Sequence, residues 1–433
     1  MKIILRKLKT FFTNIENQIA FYPSIIAVLG VLFAFIMIYL ENLGASKYFR
    51  NNIPLLVLDN ADTARALLGV FIGGLISLMV FSFSMVMVLL NQASNSFSPR
   101  ILPGLISNRR HQLVLGLYIA TLLYCIFILV SIEPTADKDK IPGFSVLISI
   151  FLTVFCLAAF VYFIHSISQS IQINNILENI YDSSKSRLNK LIDTQNGNPV
   201  VFPETEQWKK YNSDRSGYLQ TIAMDALIEI ASEHKTKFKI LVAKGNFILD
   251  GVPLLLSEKE LDEKVAKEAL STFIFAKGEL IHNNYVLAFK QITEITVKAM
   301  SPGINDPGTA LNAIDYLTEL LALRMLKKDT NIYTKDDTPI VYETSISFKE
   351  LLYNVMASIR LYCKHDIIII QKLMVMFKYL QYQHCVDKSY KESIVHEIKT
   401  LAREASSSLS NQSDKDVLHN YLKDFDINLG NGS

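Results

Sequence analysis

The sequence predicts a membrane protein in two parts: a head of four transmembrane helices near the N-terminus, then a soluble α+β domain, mostly helical with a small β unit. Three observations carry this. Half of the 433 residues are hydrophobic, and the mean hydropathy is positive. The apolar residues concentrate before residue 170, in long runs almost without charge. After residue 170 the pattern turns to mixed charge and amphipathic spacing, so composition separates a membrane part from a soluble one.

The apolar runs are Ala20 to Leu40, Ala64 to Leu90, Gln112 to Ile132 and Gly143 to Ser168. A helix rises about 1.5 Å per residue, so each run can cross a hydrocarbon core roughly 30 Å thick. A spanning helix also satisfies its own backbone groups where no water can. Residues 1–19 form a basic leader with Lys2, Arg6, Lys7 and Lys9. The first run ends in Tyr39-Leu40-Glu41 rather than a small-residue cleavage site, which argues for a retained helix over a signal peptide.

Basic residues set the predicted orientation. The leader, the loop with Arg100, Arg109 and Arg110, and the segment with Lys185, Arg187 and Lys190 carry the excess. In the other two loops Lys47, Arg50, Lys138 and Lys140 are diluted by Glu41, Asp59, Asp62, Glu133, Asp137 and Asp139. The positive-inside rule then places both termini in the cytoplasm.

The second run is the most informative. Gly69 and Gly73 form a GxxxG step, and Ser77, Ser84 and Asn91 recur every seventh residue on one helical face. Such a face serves close packing between membrane helices, the commoner use of small residues. It also serves as the polar lining of a pore, with Arg100, Arg109 and Arg110 at a cytoplasmic mouth that favours anions. Small-residue faces favour association, so a homo-oligomer in the lipid bilayer is expected. The apolar runs hold no Asp, Glu or Lys, which weakens a coupled transporter, since transporters keep ionisable groups there.

Residues 169–215 read as an exit helix, Ile171 to Lys190, and a linker around the Asn196-Gly197-Asn198-Pro199 turn. The soluble domain is expected over 216–426. It opens with a strand at Ser216 to Ile222, a helix at Met224 to Glu233 and a strand at Lys237 to Val242. Asp250-Gly251 predicts a hairpin turn closed by Leu254-Leu255-Leu256. This rhythm loosely resembles lipoyl- or biotinyl-type half-barrels, without a modifiable lysine in a matching motif. The run Ser257 to Lys264 reads as a solvated helical face.

Two amphipathic helices follow, Asn284 to Met300 and Pro307 to Leu326. Between them Pro302 and Gly303 stop the first, while Asp306 and Pro307 suit the cap and first position of the second. Capping alone explains these residue types. A ligand site at the exposed amides is the alternative, but Asp306 already occupies the end an anion would take. Thr338 to Ser347 is a possible strand. Phe348 to His365, Asp366 to Gln383, Lys388 to Ser407 and Asp414 to Asp424 read as helices, and residues 427–433 as a disordered tail.

The residues Ser301-Pro302-Gly303-Ile304-Asn305-Asp306-Pro307 with Thr309-Ala310, and Ser98-Pro99-Arg100 after the second run, resemble the bacterial domain-of-unknown-function 2254 family of predicted membrane proteins. The resemblance extends to about residue 380. It implies the four-span head, the β unit and a bacterial cytoplasmic (inner) membrane, but no established activity. Before the corner the family pattern places an arginine–threonine and a glutamine–aspartate step. Here the stretch is Gly278-Glu279-Leu280-Ile281-His282-Asn283-Asn284. Where those polar residues mark a site, this chain has altered it.

The net charge of +2 and the absence of a basic, aromatic-rich cluster give no reason to expect nucleic acid. The eight histidines form no i, i+4 pair, the four cysteines no CxxC, and there is no Walker, GxGxxG or GxSxG motif. No cofactor, metal or catalytic residue is expected. Two functions stay open: an oligomeric channel gated by its cytoplasmic domain, and a membrane-anchored regulatory or scaffold protein whose soluble domain binds a partner or metabolite. A membrane enzyme acting on lipid ranks below both.

Overall fold

The computed structural model describes residues 21–52, 58, 60–96, 109–132, 141–170, 172–195, 202–276, 284–335, 338–423 and 425. The expected tail at 427–433 lies outside them. The chain divides into two compact units between Gln172 and Ile173.

The first unit contains helices α1 (Phe21–Asn42), α2 (Ala45–Asn52), α3 (Ala61–Ser96), α4 (Arg109–Ser131) and α5 (Gly143–Ser170). Among them α1, α3, α4 and α5 are long and apolar enough to cross a membrane, and each overlies one apolar run of the sequence. Their outward surfaces are apolar too: Val28, Phe35, Val70, Val130, Phe151 and Val161 are exposed. A bilayer supplies the contacts that such residues lack in the isolated chain.

Close helix packing lies between α1 and α4. A Cβ on Gly30 would stand 2.7 Å from the Ala120 Cα, and one on Gly116 would meet Ile26 at 2.8 Å and Pro23 at 3.2 Å. Two small-xxx-small steps, Gly30/Ala34 and Gly116/Ala120, therefore let these backbones approach. Within this chain α3 packs through a different face: Ala64, Leu68, Leu75 and Ser82 are buried.

The helix ends are closed by side chains. Glu41 Oε1 accepts from the Ser145 amide at 2.7 Å, and its Oε2 accepts from the Ser46 hydroxyl at 2.6 Å. Ser46 Oγ in turn accepts from the Phe144 amide at 2.9 Å. A carboxylate thus meets the positive end of α5. Nearby, Arg65 donates to the Ile132 carbonyl at 3.2 Å and closes the end of α4. At the opposite end of the bundle the Arg109 guanidinium stacks on the Tyr22 ring, 4.6 Å from its centroid.

The second unit begins with α6 (Ile173–Asp193). It continues through β1 (Lys209–Asn212), β2 (Gly217–Ile222), α7 (Met224–Glu233), β3 (Phe238–Ile240), β4 (Phe247–Ile248), β5 (Pro253–Ser257), α8 (Glu263–Leu270) and β6 (Phe273–Ala276). Then come α9 (Tyr285–Ala299), α10 (Pro307–Arg324), β7 (Thr330–Lys335), β8 (Thr338–Thr344), α11 (Phe348–Cys363), α12 (Ile367–Tyr382), α13 (Ser389–Ser408) and α14 (Gln412–Lys423). One sheet runs β1-β5-β3-β8-β7, with β3 and β8 parallel, and a second runs β4-β2-β6. Leu219, Leu227, Phe238, Ile240, Leu255 and Val341 form the core between the sheets and α7.

Three expectations about the β unit need correction. The Asp250-Gly251 turn exists, with Gly251 at φ +81°, but it does not close a hairpin. β4 pairs with β2, whereas β5 pairs with β1 and β3. The turn is held instead by Gly251 donating to Ser213 O at 3.0 Å and Ser213 donating to Val252 O at 2.8 Å. The half-barrel resemblance fails with it, because the parallel β3–β8 pair joins segments a hundred residues apart. Of the run Ser257 to Lys264, Ser257 ends β5 and only the last two residues are helical.

The packing predicts that Gly30→Leu destabilises the head by about 1–3 kcal/mol, as overpacking against backbone does. Gly73→Leu should leave a monomeric head almost unchanged, since no described residue lies within 4 Å of its added Cβ. Denaturant unfolding of both variants in detergent checks this. Equal losses would mean that α1 and α4 are not in close backbone contact.

Candidate functional site

Two adjoining clefts open in the second unit, of about 700 Å³ and about 270 Å³. Both are lined by Lys244, Asn246, Asn284, Val286, Ile346 and Glu350. The smaller one adds Arg187 from α6, Lys327 and Asn331 from the end of α10 and the start of β7, and Glu343 from β8. The β strands and the start of α9 therefore bring together charges that are far apart in sequence.

Arg324, the last residue of α10, anchors this arrangement. Its side chain is fully buried, so its donors must find acceptors. Nε donates to the Tyr285 hydroxyl at 3.1 Å, Nη1 to Lys327 O at 2.8 Å, and Nη2 to Asp329 Oδ1 at 2.5 Å and Ile346 O at 2.9 Å. Asp329 Oδ1 also accepts from the Tyr390 hydroxyl at 2.9 Å and from the Phe348 amide at 3.0 Å, where it meets the start of α11.

Lys327 follows one turn later and is 1% exposed. Its ammonium donates to Lys328 O at 2.7 Å and to Asn331 Oδ1 at 3.1 Å, both neutral acceptors. Burial, and then the charge of Arg324, lower its pKa from 10.5 to about 8. Asn331 passes the contact on, donating to Glu343 Oε2 at 3.1 Å. Glu343 also accepts from Lys244 Nζ at 2.7 Å and the Tyr333 hydroxyl at 2.8 Å. Burial pushes the Glu343 pKa up, but the Lys244 charge and these hydrogen bonds outweigh it and hold it below the ordinary value. Burial and the adjacent Glu343 raise the Tyr333 pKa and keep its phenol a donor.

Of the residues singled out in the sequence, Ser301 lines the larger cleft, and the other described ones lie elsewhere. Gly69, Gly73, Ser77, Ser84 and Asn91 are exposed along α3, opposite its buried face. Ser77 Oγ donates back to Gly73 O at 2.9 Å. The same outward face carries Val70, Val80, Phe81 and Val88, so the polar stripe is interleaved with apolar side chains. Arg109 and Arg110 are exposed at the start of α4, and Arg100 lies outside the described residues.

The corner between α9 and α10 is tightly determined locally. Ser301 O accepts from the amides of Ile304 and Asn305, and the Asp306 amide donates to Ala299 O at 2.7 Å. Asn305 sits at φ +49°, a left-handed conformation that asparagine tolerates. Asp306 caps α10, accepting from Thr309 N at 3.1 Å and Thr309 Oγ1 at 2.6 Å. Bonding to Thr309 holds its pKa below the ordinary value. Ser301 is half-buried, whereas Pro302, Gly303, Asn305, Asp306 and Pro307 are exposed, and none of the six lies in the smaller cleft.

Sequence reasoning missed Lys244, Lys327 and Glu343, and counted Arg187 only toward orientation. Lys244 and Glu343 each follow a short apolar run and read as its solvated end, and Lys327 stands beside Lys328 and Asp329. One signal was available at the anchor: Ile314, Leu317, Leu321 and Arg324 fall at helical spacing on the apolar face of α10. A charged residue in that register is buried and needs partners.

Removing the cap by Asp306→Ala should cost about 1 kcal/mol, read by denaturant unfolding of the full chain in detergent at neutral pH. A loss that persists undiminished below the folded-state pKa of Asp306 would rule out the carboxylate as its cause. Lys327 predicts a rise with pH as well, in a far more alkaline window. Between about pH 8 and pH 10 the unfolded chain binds a proton that the folded chain has released, so its contribution to stability rises with pH. Lys327→Met removes this rise. The stability difference between variant and wild type should shift by on the order of 2 kcal/mol across the window, and a constant difference would contradict a depressed Lys327.

The chain is 24% identical over 376 residues to an uncharacterized protein of Mycobacterium bovis, covering 81% of this chain and 70% of the relative. An uncharacterized protein of Mycobacterium tuberculosis matches with the same identity and coverage. No solved structure matches. The sequence profile of the predicted membrane proteins designated DUF2254 matches residues 16–379. With four membrane-length helices and a profile match over most of its length, the chain belongs to that family of membrane proteins.

Proposed function

We propose that this protein is a regulatory membrane protein whose soluble unit binds a small molecule in the paired clefts around Lys244, Asn284 and Val286. It would sit in the bacterial cytoplasmic membrane with both termini cytoplasmic, as the basic segments near Arg109 and Lys185 favour. The observation that carries the reading is the clefts: about 700 Å³ and 270 Å³ of adjoining space, within the range that holds metabolites, walled by buried charges.

The test is thermal unfolding of the full chain in detergent, with and without pooled metabolites. Val286 lines both clefts, so Val286→Trp should occupy them. The expected result is a raised midpoint in the wild type that Val286→Trp abolishes. A shift that survives this substitution, or no shift with any pool, overturns the reading.

A second reading is the oligomeric channel, with the α3 stripe lining the path. It is favoured by Gly69, Gly73 and Gly74, where an added Cβ would meet no described residue within 4 Å, which leaves room for a second copy of the chain. It is weakened by exposed Val70 and Val88 on the same face. With Cys125 and Cys156 replaced, Ser77→Cys and Ser84→Cys in liposomes should react with charged thiol reagents if the face is wet. Val161→Cys, exposed on α5, is the lipid-facing control, because thiolate forms poorly in hydrocarbon. The regulatory reading expects all three to stay inert.

A further inference from the structure

Resting on the cleft-binding reading, we infer that the ligand is a compact anion, a phosphate or carboxylate, held by Arg187, Lys244 and Lys327 in the smaller cleft. A balance of charges around one space points to it. Three cations and two carboxylates line it. Glu343 is already committed to Lys244, Asn331 and Tyr333, leaving little of its carboxylate for a cationic ligand. Glu350 is exposed in the first turn of α11 and solvated.

Two of the three cations are less well served. Lys327 is buried yet bonds only neutral oxygens. The Glu343 and Asp329 carboxylates act on it from nearby, but neither bonds it: Glu343 is committed as above, and Asp329 to Arg324, Tyr390 and the Phe348 amide. Arg187 is half-buried, its Nε is enclosed without a hydrogen-bond partner, and it makes no hydrogen bond or ion pair with the described residues. A buried cation with no carboxylate bonded to it is costly, and a guanidinium with a free edge is shaped to take an oxyanion through two bonds. An anion in the cleft satisfies both groups at once. A cation would face Arg187 and Lys327, neither of which bonds a carboxylate among the described residues.

The residues also give binding a route to the chain's architecture. Arg187 lies on α6, which begins at Ile173, three residues after the last membrane-length helix ends at Ser170. Gln195, just beyond α6, accepts from the Lys328 amide at 3.0 Å and donates to Leu326 O at 2.8 Å. It clasps the turn that carries Lys327. An anion bridging Arg187 and Lys327 would tighten the same junction.

The experiment measures thermal unfolding of the full chain in detergent with inorganic phosphate or malonate titrated against sodium chloride at equal ionic strength. The expected result is a saturable rise of the midpoint with at least one of the two. Arg187→Gln breaks no bond within the described residues and should fold. It should raise the half-saturating concentration by about tenfold or more, which corresponds to about 1.4 kcal/mol. Lys327→Met should do the same, and Lys264→Gln, exposed on α8, should not. A non-saturating rise, equal in wild type and Arg187→Gln, is general salt exclusion and overturns the anion site. If anions fail while neutral or cationic metabolites give a shift that Val286→Trp removes, the cleft is real and the ligand class is wrong. If nothing shifts the midpoint, the cleft-binding reading falls as well.

Discussion

A guanidinium with no exposed surface must have its donors met, and much of the second unit is arranged around meeting those of Arg324. Four acceptors do so, from Tyr285, Lys327, Asp329 and Ile346. These acceptors fix the start of α9, the turn after α10, the entry to β7 and the link from β8 into α11. Asp329 then extends the tie to α13 through Tyr390. Removing one member of such a set costs about 3–5 kcal/mol, because the remaining charge stays buried without its partner. Lys327 is a consequence of this geometry. The turn that brings its carbonyl to Arg324 also encloses its ammonium, at the wall of the cleft.

The parts of this fold that sequence could reveal are those with local causes. Four apolar runs are legible because a bilayer imposes a length and forbids charge. The apolar faces Ala288, Ile292, Ile295, Ala299 and Ile314, Leu317, Leu321 are legible because helical period is local, and all seven residues are buried. The Asp306 cap is legible because capping needs only the next three residues. Strand pairing has no such locality. Asp250-Gly251 marks a turn, but whether β4 pairs with β5 depends on β1 and β2, which compete for those edges. Lys209 to Asn212 joins the sheet as an exposed edge strand with no apolar alternation to announce it. The cleft is less legible still. Its cations come from positions 187, 244 and 327, and none carries a local mark of burial.

The membrane unit shows how a correct residue class can mislead about place. Small residues do let membrane helices approach, but α3 offers several on a face that meets no other described helix. The close contact uses two short steps in α1 and α4, where single glycines stand out less. Glu41 is similar. In sequence it dilutes a loop's positive charge. In the structure it faces the amides of Phe144 and Ser145, directly or through Ser46. Helix ends near an interface have few other partners for their free amides, so a carboxylate there holds α1 and α5 together more firmly than its loop position suggests.

The two anchoring ends of α6 bear on how occupancy of the cleft can matter beyond the cleft. Near its start, Asn174 accepts from Asn312 of α10 at 3.3 Å, and at mid-helix Tyr181 donates to Glu319 of α10 while Lys185 donates to Tyr181 at 2.9 Å. Past its end, Gln195 holds the Leu326–Lys328 turn. Both ends are therefore pinned to α10 or its exit, whereas Arg187, between them, has its Nε unanswered. A ligand that binds Arg187 adds a further point of attachment to the same helix. Its effect on α6 equals the difference in its affinity for the arrangements α6 can adopt, and no more. That difference is large only if the unliganded arrangement leaves charges unsatisfied. Lys327 and Arg187 meet this condition, which is the physical reason to look for regulation at this cleft rather than at the well-satisfied corner between α9 and α10.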